Sequence, residues 1–258
     1  MIFTIDIGNS NIVLGCMDTE LICGERLSTD TSMTELEYAI DIKNLLEIHN
    51  INSKDITGCI ISSVVPQITD SIRNAVYKVT GLTAMLVGPG VKTGLNILIE
   101  NPAQLGSDLV VAAVAGINEY ALPLVIIDMG TATKFSVINS KGDYLGVVIQ
   151  PGVKVALNSL VSNTSMLQNI SLEASAKVIG RNTIDCMKSG IIFGNAASVD
   201  GILMRIEEEL GQEVNVVATG GLAESIIPYC KRDIIHDQNL ILKGLKQIYD
   251  RNSIQNRK

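Results

Sequence analysis

Tryptophan is absent from these 258 residues, and only 3 phenylalanines and 6 tyrosines accompany it. A core must therefore be built from the plentiful Ile, Val and Leu, a composition that suits buried β-sheets flanked by helices. No apolar run approaches the roughly 20 residues that a membrane span needs, so no membrane association is expected. The opening from Met1 to Asp6 lacks a basic stretch followed by a long apolar one, and no signal peptide is expected there. Basic residues are also in short supply: 20 Lys and Arg against 27 Asp and Glu leave a formal charge of −7. That balance excludes a general nucleic-acid binder, which displays a basic face, but not phosphate ligands, which need only local donors. Histidine is limited to His49 and His236, and Cys16, Cys23, Cys59, Cys186 and Cys230 form no C-x-x-C pair. No zinc site is expected, and the odd cysteine count points to free thiols in a reducing cytoplasm. The length fits two modest domains or one large one.

What is present begins with a stretch and its echo. Ile2-Phe3-Thr4-Ile5-Asp6-Ile7-Gly8-Asn9-Ser10-Asn11-Ile12-Val13 reads as strand, tight turn, strand, and Val125-Ile126-Ile127-Asp128-Met129-Gly130-Thr131-Ala132-Thr133-Lys134 repeats the pattern. In each, an Asp closes the first strand and a Gly two residues later lets the backbone approach an anion. The carboxylate then stands where a cation must neutralise phosphate. One Asp-x-Gly is an ordinary turn; two, nearly half a chain apart, suggest duplicated domains that each lend a phosphate-gripping turn to a cleft.

The segments between fill in an α/β plan. Residues 2–7 and 11–16 form the first hairpin, Glu20 to Leu27 a third strand, and Thr34 to Glu37 a capping box. That box opens a helix whose apolar face is read as Leu36, Ile40, Leu45 and Ile48. A strand from Ile56 to Val65, a helix carrying Ile68, Ile72, Ala75, Val76 and Val79, and a strand from Thr83 to Val87 follow. Gly106-Ser107-Asp108 leads into an apolar helix from Leu109 to Gly116 that is expected to join the halves. Asp108 either stabilises the helix start or serves chemistry. Strands at 124–128, 134–139 and 144–149 replay the opening, and a helical stretch follows Pro151-Gly152. Gly180-Arg181-Asn182-Thr183 opens a helix through Ile192, by its hydroxyl and Arg an anion contact or else a plain helix start. A further helix spans Val199 to Leu210. A strand from Val214 to Ala218 turns through Thr219-Gly220-Gly221, where a base or ribose can lie flat against backbone. A short strand near Ile234 and a helix from Asn239 to about Tyr249 end the chain.

Two Asp-x-Gly turns and a late Thr-Gly-Gly, in that order, resemble the acetate and sugar kinase/actin superfamily. More narrowly, the chain resembles type III pantothenate kinases, which phosphorylate pantothenate with ATP at the start of coenzyme A synthesis. The likeness covers essentially the whole chain, and also rests on Asn101-Pro102, Gly106-Ser107-Asp108, Pro151-Gly152, Gly180-Arg181-Asn182-Thr183 and Gly244-Leu245. It implies two duplicated ribonuclease H-like (actin-like ATPase) domains, 1–116 with the first phosphate turn and 117–258 with the second and the adenosine turn. By the same likeness Asp6 holds Mg²⁺ through water, and Asp6, Ile7, Gly8, Asn9, Ser10, Asn11, Ile12 and Val13 line ATP with Thr131, Gly220 and Gly221. Asp128 falls on a monovalent-cation site for K⁺ or NH₄⁺, and Asp108 on the general base. Gly106, Ser107, Asp108, Leu109 and Thr183 fall on the pantothenate side. The likeness also implies a cytoplasmic homodimer whose partner chain helps close the acceptor pocket.

The departures gather on the acceptor side. Leu109 stands where the family carries Arg, Ile99 where it carries Tyr, and Val147 where it carries Gly; a Lys-bearing Leu-Pro motif is not recognisable around Met166-Leu167-Gln168. Losing that Arg removes a charge-assisted donor. Two alternatives stay beside the pantothenate kinase reading: a catalytically weakened ATP-binding homologue with a regulatory role, and another small-molecule kinase of the superfamily.

Overall fold

The aliphatic run at the N-terminus forms a strand buried on both faces, as a segment without polar alternation must. In the computed structural model, which describes residues 1–173 and 177–253, it is β1 (Ile2–Ile7). β2 (Asn11–Met17) and β3 (Leu21–Ser28) follow, each antiparallel to the strand before it. After α1 (Glu35–Ile48), β4 (Gly58–Ser63) returns parallel to β1; α2 (Pro66–Thr80) then leads to β5 (Met85–Leu86), parallel to β4. The sheet order is β3-β2-β1-β4-β5. Phe3, Ile5 and Ile7 point to one face, where they pack with Tyr38, Ile42, Ile68 and Ile72 of the two helices.

After β6 (Asn96–Ile97) and α3 (Ser107–Glu119), the second unit repeats this plan. β7 (Leu124–Met129), β8 (Ala132–Ile138) and β9 (Asp143–Pro151) are antiparallel neighbours. α4 (Val153–Ser162) and α5 (Thr183–Leu210) precede β10 (Asn215–Thr219), which lies parallel to β7. α6 (Ala223–Ile226), β11 (Ile235–His236) and α7 (Leu240–Ser253) complete the chain. The second sheet runs β11-β10-β7-β8-β9-β6. Val125, Ile127 and Met129 pack with Ile191, Ile192 and Val199 of α5, as their counterparts on β1 pack on α1 and α2. Both units are thus mixed sheets flanked by helices, wound in the same order.

Compact packing groups residues 1–96, 100–119 and 239–253 as one unit and 97–99 with 120–238 as the other. α7, the last element in sequence, therefore belongs with the first sheet. Leu242, Leu245 and Ile248 pack with Ile2, Ile60, Val111 and Val114. Gly244 makes this possible, since a Cβ there would stand 2.1 Å from the Val111 carbonyl oxygen.

Three sequence expectations change. The capping box of α1 forms, with Thr34 N–H donating to Glu37 at 2.7 Å, but the buried face is Tyr38, Ala39, Ile42, Leu45 and Leu46. Leu36, Ile40 and Ile48 are exposed. Tyr38 sets the rotation: its hydroxyl donates to the Asp30 carbonyl at 2.6 Å while the ring is buried. The strand expected at 56–65 is trimmed to Gly58–Ser63. The two helices expected at 184–192 and 199–210 are one continuous 28-residue helix, uninterrupted at Gly190, Gly194 or Gly201.

Candidate active site

The first Asp-x-Gly turn is built as the hairpin grammar requires. β1 pairs with β2 out to Ile7 and Ile12, and Gly8 N–H donates to the Asn11 carbonyl at 2.9 Å. A Cβ on Gly8 would lie 3.0 Å from that same oxygen, so the turn tolerates little else. Thr29, which the sequence did not single out, fastens the turn from β3's end. Its hydroxyl donates to the Gly8 carbonyl at 2.6 Å, and its N–H donates to the Ser10 carbonyl at 3.1 Å. Asn9, Ser10 and Asn11 are exposed, while Ile7 and Ile12 are core residues at 0% and 1% exposure. A ligand here meets the polar residues of the turn, with Val13 half-buried beside them. Asp6 lies at the base of the turn and is 7% exposed.

Serine hydrogen bonds hold the start of α3 to β4, the strand next to β1. Asp6 is the register neighbour of Ser62 on β4, and the Ser62 hydroxyl donates to Ser107 Oγ at 3.0 Å. Ser107 Oγ also accepts from Ser63 N–H at 3.1 Å and donates to the Ser63 carbonyl at 3.0 Å. The start of α3 is thereby pinned to the end of β4, and Asp108 occupies its first turn at 9% exposure. A Cβ on Gly106 would come within 2.5 Å of Asp108 Oδ1, so a side chain there would displace that carboxylate. Ser107, expected to touch substrate, is thus engaged in holding the helix, and Leu109 is buried at 7% exposure.

The second turn lies in the other unit, with its own supports. Asp128 is the penultimate residue of β7, just before the last ladder pair, Met129 with Thr133, and Gly130 N–H donates to the Ala132 carbonyl at 3.1 Å. Thr131 is exposed at the tip. Gly152 closes on this tip, since a Cβ there would stand 2.3 Å from the Thr131 carbonyl oxygen. Gly220 does the same from β10: its φ is +93°, and a Cβ would meet the Met129 backbone at 2.7 Å. Leu222 N–H donates to the Met129 carbonyl at 3.2 Å. The Thr219-Gly220-Gly221 turn is therefore packed against Met129, the residue that leads into the Gly130-Thr131 turn. The Gly180–Thr183 segment is a helix start, with Asn182 Oδ1 accepting from Asp185 N–H at 2.9 Å and Thr183 exposed.

The cation expectations meet two different environments. Among the described residues no three metal-binding side chains cluster, so a cation would draw most ligands from phosphate and water, as Mg²⁺ does in phosphoryl-transfer sites. Asp6, a hard oxygen donor at the base of the first turn, fits that use. At Asp128, Lys134, directly opposite on β8, donates to Oδ2 at 3.0 Å. A monovalent metal ion there would face a second positive charge on the same carboxylate. The signal for this pair is register: a hairpin folded about Thr131 sets Lys134 opposite Asp128.

Comparisons with known proteins give the family and the fold. The profile of the type III pantothenate kinase family matches residues 2–205. A type III pantothenate kinase of Bacillus cytotoxicus is 43% identical over 255 residues, covering 98% of this chain and 97% of that protein. A Campylobacter jejuni protein provisionally assigned to the Baf family of transcriptional activators superposes with a TM-score of 0.60 at 22% identity, over 97% of this chain and 98% of that one. MreB 5 of Spiroplasma citri, solved with AMPPNP, gives 0.58 at 10% identity, over 100% and 98%. The two structural likenesses bear on fold alone, and that fold is the actin-like ATPase one.

Proposed function

The chain belongs to the type III pantothenate kinase family, and on that premise we propose that it transfers the γ-phosphoryl group of ATP to pantothenate, giving 4′-phosphopantothenate and ADP. The observation that carries this reading is the hydrogen bonding of Ser62 and Ser63 with Ser107, which pins the start of α3, and with it the carboxylate of Asp108, to the end of β4, the neighbour of β1. Phosphoryl transfer runs chiefly on positioning and charge neutralisation. The groups of Gly8 to Asn11 would hold phosphate oxygens, with Thr131 at the second turn and Gly220 and Gly221 against the adenosine. Asp6 would hold Mg²⁺ through water, and the ion supplies neutralisation of the phosphate charge when bound. Asp108 would accept the proton of the pantothenate hydroxyl as its oxygen bonds to phosphorus and the bond to the ADP oxygen breaks. Gly106, Leu109 and Thr183 belong to the acceptor side of this reading.

One observation favours a second reading. Leu109 is buried where the family carries Arg, so a charge-assisted donor for the acceptor carboxylate is missing. That favours a weakened ATP-binding homologue with a regulatory role. A coupled assay of ADP release with and without pantothenate decides between them: pantothenate-dependent release supports the kinase, whereas ATP binding without such release supports the regulator.

The reading extends to assembly. Val155, Leu160, Met166, Ile179 and Ile184 are exposed apolar side chains within 153–195, a density that supports a homodimer contact on that segment. The five cysteines are free thiols, in keeping with a cytoplasmic enzyme. No helix among the described residues is long and apolar enough to cross a membrane.

A further inference from the structure

The two Asp-x-Gly turns differ in what faces the carboxylate. Asp6 stands opposite Val13 across the ladder, whereas Asp128 stands opposite Lys134. The Lys134 ammonium lies 3.0 Å from Asp128 Oδ2, with the two side chains 20% and 16% exposed. Exposed ion pairs contribute little; this one is largely withdrawn from water, so removing either partner leaves the other poorly compensated. The Asp128 carboxylate lies under the turn itself, since a Cβ at Gly130 would stand 3.5 Å from Oδ1 and 3.9 Å from Oδ2, the oxygen that accepts from Lys134. A positive charge is therefore held on the carboxylate that supports the Gly130-Thr131 turn.

A lysine ammonium is a compact point charge with three donors, in effect a tethered ammonium ion. We propose that Lys134 replaces the monovalent cation of this enzyme: its ammonium, held by Asp128, supplies beside the second turn the charge that the family resemblance assigns to K⁺ or NH₄⁺. ATP binding and turnover then need neither ion. Lys134 is a positioning residue, acting through Asp128 and the turn, and the inference rests on the proposed role of Gly130-Thr131 as a phosphate turn.

The test is calorimetric titration with AMPPNP and Mg²⁺ in potassium, ammonium or tetramethylammonium chloride at equal ionic strength. A cation that acts on nucleotide affinity does so reciprocally and by a measurable coupling. For the native chain the dissociation constant is expected to stay within about twofold across the three salts, below the usual range of such couplings. Lys134→Ala is expected to bind about fivefold or more weakly in tetramethylammonium and to recover in K⁺ or NH₄⁺. Lys134→Gln, which keeps the stem, should behave likewise if the alanine variant folds poorly, and Lys134→Arg should stay indifferent to the salt. A native chain whose affinity rises more than about twofold with K⁺ or NH₄⁺ overturns this inference alone. So do Ala and Gln variants that ignore the cation. Absence of nucleotide binding in every salt would instead overturn the proposed function, and this inference with it.

Discussion

The proposed roles of Asp108 and Asp6 are separate, general base and cation holder, and each carboxylate can be removed without altering side-chain size much. Asp108→Asn is expected to leave ATP affinity nearly unchanged and to lower turnover by roughly 10²–10⁴-fold, the usual span for general-base loss. The loss shrinks if proton removal lags behind bond making in a loose transition state. Asp6→Asn should instead weaken Mg²⁺-ATP binding, because a carboxylate charge is taken from the cation's surroundings. Titrating ATP and following ADP release on both variants separates the two roles; full activity in Asp108→Asn would remove it from the mechanism. Leu109→Arg would have to bury a guanidinium at a position 7% exposed, at a cost on the order of 3 kcal/mol unless paired, readable as a lower urea midpoint.

At the scale of elements, close backbone approach dictates the glycines. Gly220→Ala is expected to cost about 1–3 kcal/mol, since φ is +93° and its Cβ would meet the Met129 backbone at 2.7 Å. ATP affinity should fall with it, because the same contact holds together the two turns proposed to bind the nucleotide. Thr34→Ala should cost about 1 kcal/mol in urea unfolding through loss of the α1 cap. The Glu37 carboxylate is held below its ordinary value of 4.5 by the Thr34 N–H. Its share of stability is therefore full above that value and lost as pH falls through the lower, folded-state value. Much of this level was legible in the sequence: both hairpins, the capping box and the three glycine turns follow from period and turn chemistry. The inward face of α1 was not, because Leu36 and Ile40 offer a second apolar stripe and only the Tyr38 anchor to Asp30 chooses between them. Nor were Thr29, Ser62 and Lys134 read as parts of the site, since their roles come from strand register between segments distant in sequence or across a turn.

For the whole molecule, a duplicated αβ plan with α7 returning to the first unit explains why the likeness to kinases spans the chain rather than one motif. The exposed apolar side chains of 153–195 lead to an expected homodimer at micromolar concentration in sedimentation, burying more than about 1,200 Å² in total. A monomer under those conditions would count against the interface. The central claim is that this chain phosphorylates pantothenate, and mass spectrometry of the products with purified protein, Mg²⁺-ATP and pantothenate tests it most directly. The expected result is 4′-phosphopantothenate formed in equal amount with ADP and strongly reduced in Asp108→Asn. ATP bound by the native protein, with pantothenate recovered unchanged, would contradict it.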